Sequence, residues 1–152
     1  MSTLAAIRPD EWNLPLLLHV AGAMVLVGAL ITAVAALVAS RTSRPAPMKR
    51  VAFRTLLLAA LPGYILMRGA AEWIFSEENL DDEAAWIGIG YIVSDLGLLL
   101  LIIATVLAGI SSRRARDGTS DSGRLGRVSV GLMSVMLAGY VVAIWAMTTK
   151  PD

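Results

Sequence analysis

Residues 14–40 of this chain read LPLLLHVAGAMVLVGALITAVAALVAS, a run without a single charged side chain. An α-helix needs about 20 mostly apolar residues to cross the hydrocarbon core of a bilayer, so this stretch predicts a membrane-spanning helix. Three more stretches, at about 51–75, 84–110 and 128–147, are similarly long and mostly apolar. We therefore predict an all-α, polytopic membrane protein, a four-transmembrane-helix bundle in which residues 1–152 form a single membrane domain.

The composition agrees with that prediction and excludes several classes of protein. Hydrophobic residues make up 57% of the chain and charged residues 16%, which argues against an ordinary soluble enzyme and rules out disorder. The absence of cysteine excludes disulfides and thiolate metal sites. The sequence contains no phosphate-binding glycine loop, no HExxH motif and no recognisable Ser–His–Asp set, so we expect no enzymatic activity.

Cationic residues are divided unequally between the two sides of the predicted bundle. The loops at 41–50 and 111–127 carry nine Lys and Arg, whereas the opposite side carries only Arg8 and Lys150. Such an excess is typical of cytoplasmic loops, so we predict a plasma-membrane protein with both termini outside. The basic loops are expected to contact anionic lipid rather than nucleic acid. The predicted outer ends of the spans also carry the four tryptophans, as an interfacial belt would: Trp12, Trp73, Trp86 and Trp145.

Several polar residues fall inside the predicted spans. Insertion of an ionisable side chain at the bilayer centre costs at least about 2.5–3.5 kcal/mol, so such a side chain is expected to face the bundle interior, a partner or water. All six lie in the predicted outer half: His19, Arg68, Glu72, Tyr91, Asp95 and Tyr140. Asp95 is the deepest, roughly 16 Å from the outer end of its helix at 1.5 Å per residue. Arg68 and Glu72 are four residues apart and are predicted to pair directly. We predict that these residues form one outward-facing polar site.

Helical spacing predicts which face of each span points inward. In the second span, the predicted inner stripe passes through Arg54, Leu58, Leu61, Ile65, Arg68 and Glu72. In the third, it passes through Gly88, Tyr91, Asp95, Leu98 and Ile102. The first and fourth spans are predicted to turn His19, Gly22, Ala23, Leu26 and Ala29, and Met133, Met136, Tyr140 and Met147, towards the same interior. Pro62-Gly63 is predicted to bend or locally open the second span.

The polar site has more than one interpretation. Two carboxylates against one guanidinium leave a net negative charge, which suits a cation, a proton or a small polar solute that the protein binds or transports. Alternatively, the cluster is a structural ion pair in a non-catalytic accessory subunit. A third possibility is a redox protein that binds haem or copper, for which His19, Met133 and Met136 are weak metal candidates. We expect no resident cofactor.

Small residues recur every four positions on the first and fourth spans, which allows close approach of helices. The two series are Gly28, Thr32, Ala36 and Ser40, and Gly131, Val135, Gly139 and Ala143. Most of this is expected to be internal packing, but a homodimer or a larger membrane complex through one such face is also consistent with it.

The stretch LHVAGAMVLVG at 18–28 resembles the first span of small bacterial, actinobacterial-type integral membrane proteins of unknown function. It is also distantly similar to the copper-resistance D-type membrane family, in which a Leu-His pair precedes a small-residue stretch. The end of the chain, VVAIWAMTTKP at 141–151, looks like the C-termini of the same bacterial proteins. The resemblance implies a multi-pass membrane protein and makes His19 a position of interest. This chain has a single Gly28 where the copper family tends to a double glycine, and it lacks that family's further histidines and methionine clusters.

Overall fold

A computed structural model describes residues 13–42, 45–78, 85–118 and 122–149. These residues are almost entirely helical, and they form five α-helices: α1 (Asn13–Ala39), α2 (Pro45–Thr55), α3 (Leu61–Glu78), α4 (Ala85–Arg116) and α5 (Ser122–Thr149). A π-helical turn at Leu56–Ala60 joins α2 to α3 without a break. Four continuous stretches are long and apolar enough to cross a membrane: Leu14–Ala39, Pro45–Ser76, Ile87–Arg116 and Gly123–Thr149. The all-α architecture and the four membrane-span-capable helices are therefore as predicted.

The helices are longer than the predicted spans at the ends that carry the cations. The second helical stretch begins at Pro45 rather than near residue 51, and α4 continues to Arg116. Most of the 41–50 loop is therefore helix. Lys49, placed by the sequence analysis in a basic loop in contact with lipid, is buried in the bundle with only 5% of its surface exposed.

The π-helical turn lies directly before Pro62. Proline has no N–H to donate and its ring clashes with the carbonyl four residues earlier, so a regular α-helix cannot pass through this position undisturbed. The N–H of Leu61 instead bonds to the carbonyl oxygen of Leu56, five residues back. The predicted local opening of the second span is present, and it divides that span into α2 and α3.

Both parts of the second span pack against α1, but only α2 also packs closely against α4. α3 packs against α1, whereas α2 contacts both α1 and α4, and α4 packs along α5. α3 has little contact with α4. We call the half of the bundle near the connections at 40–44 and 117–121 the basic half, and the half near residues 13, 78, 85 and 149 the terminal half.

The basic half is closely packed. Its core is built from small and aliphatic side chains with almost no exposed surface, including Leu30, Ala33, Leu37, Ala52, Leu56, Leu101, Ala104, Ala108 and Met133. Phe53 of α2 lies so close to α4 that a Cβ on Gly109 would be 3.0 Å from its ring. The buried Ser129 hydroxyl donates to the Ala104 carbonyl oxygen at 3.0 Å, which ties α5 to α4.

Helices α1 and α3 cross with their backbones in contact. A Cβ on Gly22 would lie 2.5 Å from the backbone nitrogen of Met67 and 2.9 Å from the carbonyl oxygen of Gly63. A Cβ on Gly63 would in turn lie 3.0 Å from the backbone nitrogen of Leu26. Both positions therefore require glycine for close approach, as is common where transmembrane helices associate.

The predicted inner faces are correct for two helices and wrong for the other two. Gly22, Leu26 and Ala29 of α1, and Met133, Met136 and Tyr140 of α5, are buried as predicted, although Met147 is 38% exposed. In the second span the predicted stripe faces outward, with Leu58 69% and Ile65 66% exposed. Its buried face is instead Ala52, Leu56, Ala60, Gly63, Tyr64 and Met67. In α4 the buried face is Gly90, Gly97, Leu101, Ala104 and Ala108, next to the predicted one.

The lateral surface of the described helices is largely apolar. Large side chains such as Leu17, Met24, Leu58, Ile92 and Val141 are each about half exposed or more, as expected of helices that face lipid. Trp73 and Trp145 are 44% and 55% exposed at the terminal end, while the side chains of Trp12 and Trp86 lie outside the described residues. At the opposite end the described arginines of the basic loops are exposed.

Candidate functional site

Arg68 lies at the centre of an ion-pair cluster that joins α3 to α4 in the terminal half. Its Nη1 donates to Oε1 of Glu72, one turn further along α3. Its Nη2 lies 3.5 Å from Oδ1 of Asp95 on α4. The exposed fractions of the side chains are 23% for Arg68, 51% for Glu72 and 68% for Asp95. We call these three residues the ion-pair cluster; its carboxylates lie on the surface of the bundle, not in the interior as predicted.

Aromatic rings complete the bridge between α3 and α4. The guanidinium carbon of Arg68 lies 4.4 Å from the ring centre of Tyr91, a cation–π contact. Phe75 of α3 meets the same ring edge-on, with ring centres 6.1 Å apart. Tyr91 therefore belongs to the predicted site. The sequence analysis missed Phe75, although its spacing of seven residues from Arg68 places it two helical turns further along α3.

Tyr64 is a second residue that the sequence analysis missed. Its side chain is 4% exposed, and its hydroxyl donates to the carbonyl oxygen of Ser94 at 3.3 Å, a second link between α3 and α4. Tyr64 is four residues before Arg68 and faces the interior beside it. That spacing was the available signal, but the predicted stripe passed through Ile65 instead.

Tyr140 is inside the bundle but does not join the ion-pair cluster. Only 7% of its surface is exposed, and its hydroxyl is buried without a hydrogen-bond partner among the described residues. The hydroxyl lies against the backbone of α4 at Gly97, where an added Cβ would be 2.9 Å away. Gly97 therefore makes the space that the tyrosine occupies.

His19 is not a member of the ion-pair cluster; it lies at the junction of α1 and α3. Its Nδ1 is 2.9 Å from the carbonyl oxygen of Met67, which can only accept a hydrogen bond. The hydrogen is therefore on Nδ1, and in the neutral ring Nε2 carries a lone pair. This bond fixes the orientation of the imidazole at the junction of α1 and α3.

His19 also lines a cleft in the terminal half. The cleft is about 460 Å³ in volume, its open mouth included, and its walls come from α1, α3, α4 and α5. Most of the lining is apolar; the polar side chains on it are His19, Ser94 and Tyr140. We call this space the His19 cleft. The sequence had grouped His19 with the acidic residues, but neither Asp95 nor Glu72 lines the cleft.

The candidate metal ligands do not line one cleft, because His19 lines the His19 cleft and neither Met133 nor Met136 does. Met133 and Met136 are 0% and 3% exposed in the core of the bundle. Two other methionines, Met67 and Met147, line the cleft that contains His19. Within the described ranges, no group of three or more His, Asp and Glu side chains is placed to hold a metal ion.

The charges of the ion-pair cluster do not cancel, because one guanidinium faces two carboxylates. Glu72 is on the same helix as Arg68 and makes the closer contact, whereas Asp95 approaches from α4 and is the most exposed of the three. Asp95 is therefore the carboxylate most available to a further cation or proton.

Comparisons with protein-family models, with curated proteins and with solved structures give no match to this chain.

Proposed function

We propose that this chain is a small integral membrane protein that binds a cation or a proton at Asp95 from the outside of the cell. The binding is part of transport or of ligand recognition. The observation that carries the proposal is the unbalanced ion-pair cluster at the level of the apolar spans. Asp95 is 68% exposed there and only 3.5 Å from a guanidinium that already pairs with Glu72.

The cost of placing a carboxylate among apolar helices supports this interpretation. An uncompensated charge inside a bilayer costs several kcal/mol, so such residues mark ion or proton pathways by default. Arg68 offsets one negative charge, and the second remains. A bound cation or a proton on Asp95 neutralises it, and release of that cation or proton restores the charge.

The orientation in the proposal rests on the distribution of cations. The described arginines of the basic half are exposed at one end of the bundle, and an excess of Lys and Arg is typical of the cytoplasmic side. With both termini outside, the ion-pair cluster lies in the outer half of the membrane. Single cysteines at Ser43 and Ser120 should resist an impermeant thiol reagent in intact cells, while one at Ser76 reacts; the reverse labelling would overturn the orientation.

The function is tested with purified protein in proteoliposomes. Proton flux is followed with a trapped pH-sensitive dye, and cation flux with imposed sodium, potassium or ammonium gradients, across a range of pH. Asp95→Asn keeps the shape of the side chain and should abolish any ion-linked flux, whereas His19→Gln should retain a measurable part. Asp117→Asn, the same change at an exposed position of the basic half, is the matched control. Equal flux in Asp95→Asn and wild type at every pH would refute the proposal.

The exposure of Asp95 also favours a second candidate function, an accessory subunit without transport activity. On the lateral face of the bundle, a Lys or Arg from the transmembrane helix of a partner, or of a second copy, would supply the missing cation. In that case Asp95→Asn should dissociate the complex in native gels without an effect on flux in liposomes.

A further inference from the structure

The His19 cleft is separate from the ion-pair cluster and has its own chemistry. It lies in the terminal half, where α1 and α3 on one side face α4 and α5 on the other. Gly90, Ala23 and Ala143 line it and keep it open, because larger side chains at these positions would fill it. The enclosed part of the cleft is small, with about 60 Å³ of room for the centre of a water-sized sphere, so it admits one end of a ligand rather than a whole large molecule.

The lining excludes charged ligands. No Asp, Glu, Lys or Arg is among the residues that line the cleft, so a cation or an anion would lose its hydration without a counter-charge. The exposed lining residues Ile144 and Met147 are apolar, and in a bilayer they meet lipid chains. A ligand of this cleft is therefore neutral, mostly hydrocarbon, and enters from the membrane.

The polar group of the ligand follows from the tautomer of His19. Nδ1 donates to the carbonyl oxygen of Met67, so Nε2 of the neutral ring is an acceptor without a hydrogen of its own. A carbonyl or ether oxygen on a ligand cannot bond to it, because both are acceptors. A hydroxyl group, in contrast, donates to Nε2.

We propose that the His19 cleft binds the hydroxyl end of a neutral lipophilic alcohol or phenol from the membrane. The hydroxyl donates to Nε2 of His19, and the hydrocarbon part packs against the methionine, alanine and valine side chains of the walls. This site is independent of cation binding at Asp95, since no residue of the ion-pair cluster lines it.

Methionine methyl groups provide a direct test. The full chain is labelled with ¹³C-methyl methionine, placed in lipid nanodiscs and titrated with 1-decanol, with decane as the matched probe that lacks the hydroxyl. Met67 and Met147 line the cleft and should shift to saturation with decanol. Met133, fully buried in the core, and Met24, 71% exposed on α1, should not follow them. Decane should bind about fivefold more weakly, the effect of one lost hydrogen bond.

Three variants separate recognition from non-specific partition. His19→Phe keeps the ring and should weaken decanol binding to the level of decane. Ala143→Phe fills the cleft and should abolish the shifts, whereas Ala138→Phe, on the exposed face of the same helix, should leave them unchanged. An unchanged Met133 signal shows that each variant is folded. Asp95→Asn should bind decanol as the wild type does, so the two proposals fail independently.

Equal affinity for decane and decanol, or decanol shifts that survive Ala143→Phe, would overturn the proposal. So would shifts that grow linearly and equally at Met24 and Met67, because they would indicate solution in the lipid rather than a site.

Discussion

The basic half and the terminal half of this bundle are built from the same four helical stretches, yet they differ in how those stretches meet. In the basic half, α2 packs between α1 and α4, and side chains such as Leu56 and Leu101 have no exposed surface. In the terminal half, α3 packs against α1 alone, and its contact with α4 is limited mainly to the ion-pair cluster and a few aromatic side chains. The ion-pair cluster and the His19 cleft are both in this second half, whereas Lys49 and Ser129 are polar side chains buried in the basic half.

The difference shows how one irregular turn separates a closed region from an open one. The second span keeps its contact with α1 but loses most of its contact with α4 where its hydrogen bonding changes, at Leu56–Ala60 before Pro62. π-helical turns are frequent at functional sites because they change the direction and register of a helix without ending it. Here the turn allows α2 to complete a closely packed core, while α3 has little contact with α4 and is joined to it by the ion-pair cluster.

The largest effect on stability should come from removal of the Arg68 side chain in the terminal half. Arg68→Ala leaves Glu72 and Asp95 without their shared partner, and we expect a loss of about 3 kcal/mol in the free energy of unfolding. Arg113→Ala, at an exposed position of the basic half, should have little effect. Adding Glu72→Gln and Asp95→Asn to Arg68→Ala should restore much of the stability in a detergent unfolding titration. Equal unfolding of the Arg68 and Arg113 variants would show that the cluster contributes nothing to the fold.

The closely packed core of the basic half should lose stability when a cavity is made in it. Leu30→Ala removes a side chain with no exposed surface and should cost about 2 kcal/mol, the lower end of the usual range for such changes. The lower end applies because lipid tails are as apolar as leucine, so mainly packing is lost. Ile31→Ala, at the adjacent position with 55% exposure, is the matched control for the same unfolding titration. A comparable loss in both variants would mean that the basic half is not specifically packed.

The crossing of α1 and α3 should be sensitive to a single methyl group. Gly22→Ala places a Cβ against the backbone of α3, and overpacking of this kind costs about 1–3 kcal/mol. We expect a loss near the middle of that range. Gly28→Ala, on the same helix with nothing within 4 Å of the added Cβ, should be neutral or slightly stabilising. Identical melting temperatures of the two variants in one detergent would exclude the backbone contact.

The smallest effects on stability should come from removal of the hydroxyl groups of the two buried tyrosines, and the two effects should differ in sign. Tyr64→Phe removes the hydroxyl that donates to Ser94 and should cost about 0.5–1 kcal/mol. Tyr140→Phe removes a buried hydroxyl without a partner among the described residues, so it should be neutral or stabilising by up to about 1 kcal/mol. Melting temperatures of both variants, measured with wild type, test the sign of each change. A loss in Tyr140→Phe would indicate that its hydroxyl has a partner, such as a bound water.

Part of the site was predictable from local spacing. The Arg68–Glu72 pair follows from two residues four positions apart on one helix, and it requires no knowledge of the neighbours. The partners of Arg68 on α4 required the choice of one face over another. The sequence analysis assumed that charged residues mark the interior, and that assumption placed Leu58 and Ile65 inside although they face outward. Arg68 instead lies at the flank of α3 and reaches Asp95 with its long side chain.

The sequence by itself determined the number of spans, their approximate length and the unequal distribution of cations, because each depends on runs of apolar or charged residues along the chain. The tertiary structure decided which faces meet. Transmembrane helices are apolar on nearly every side, so hydrophobicity does not indicate which face packs against a neighbour. Packing depends instead on where helix backbones can approach each other closely. The contact of Gly22 with Met67 and Gly63 fixes α1 against α3. In this arrangement His19 lines a cleft whose walls do not include Asp95, and no spacing within one helix could reveal that.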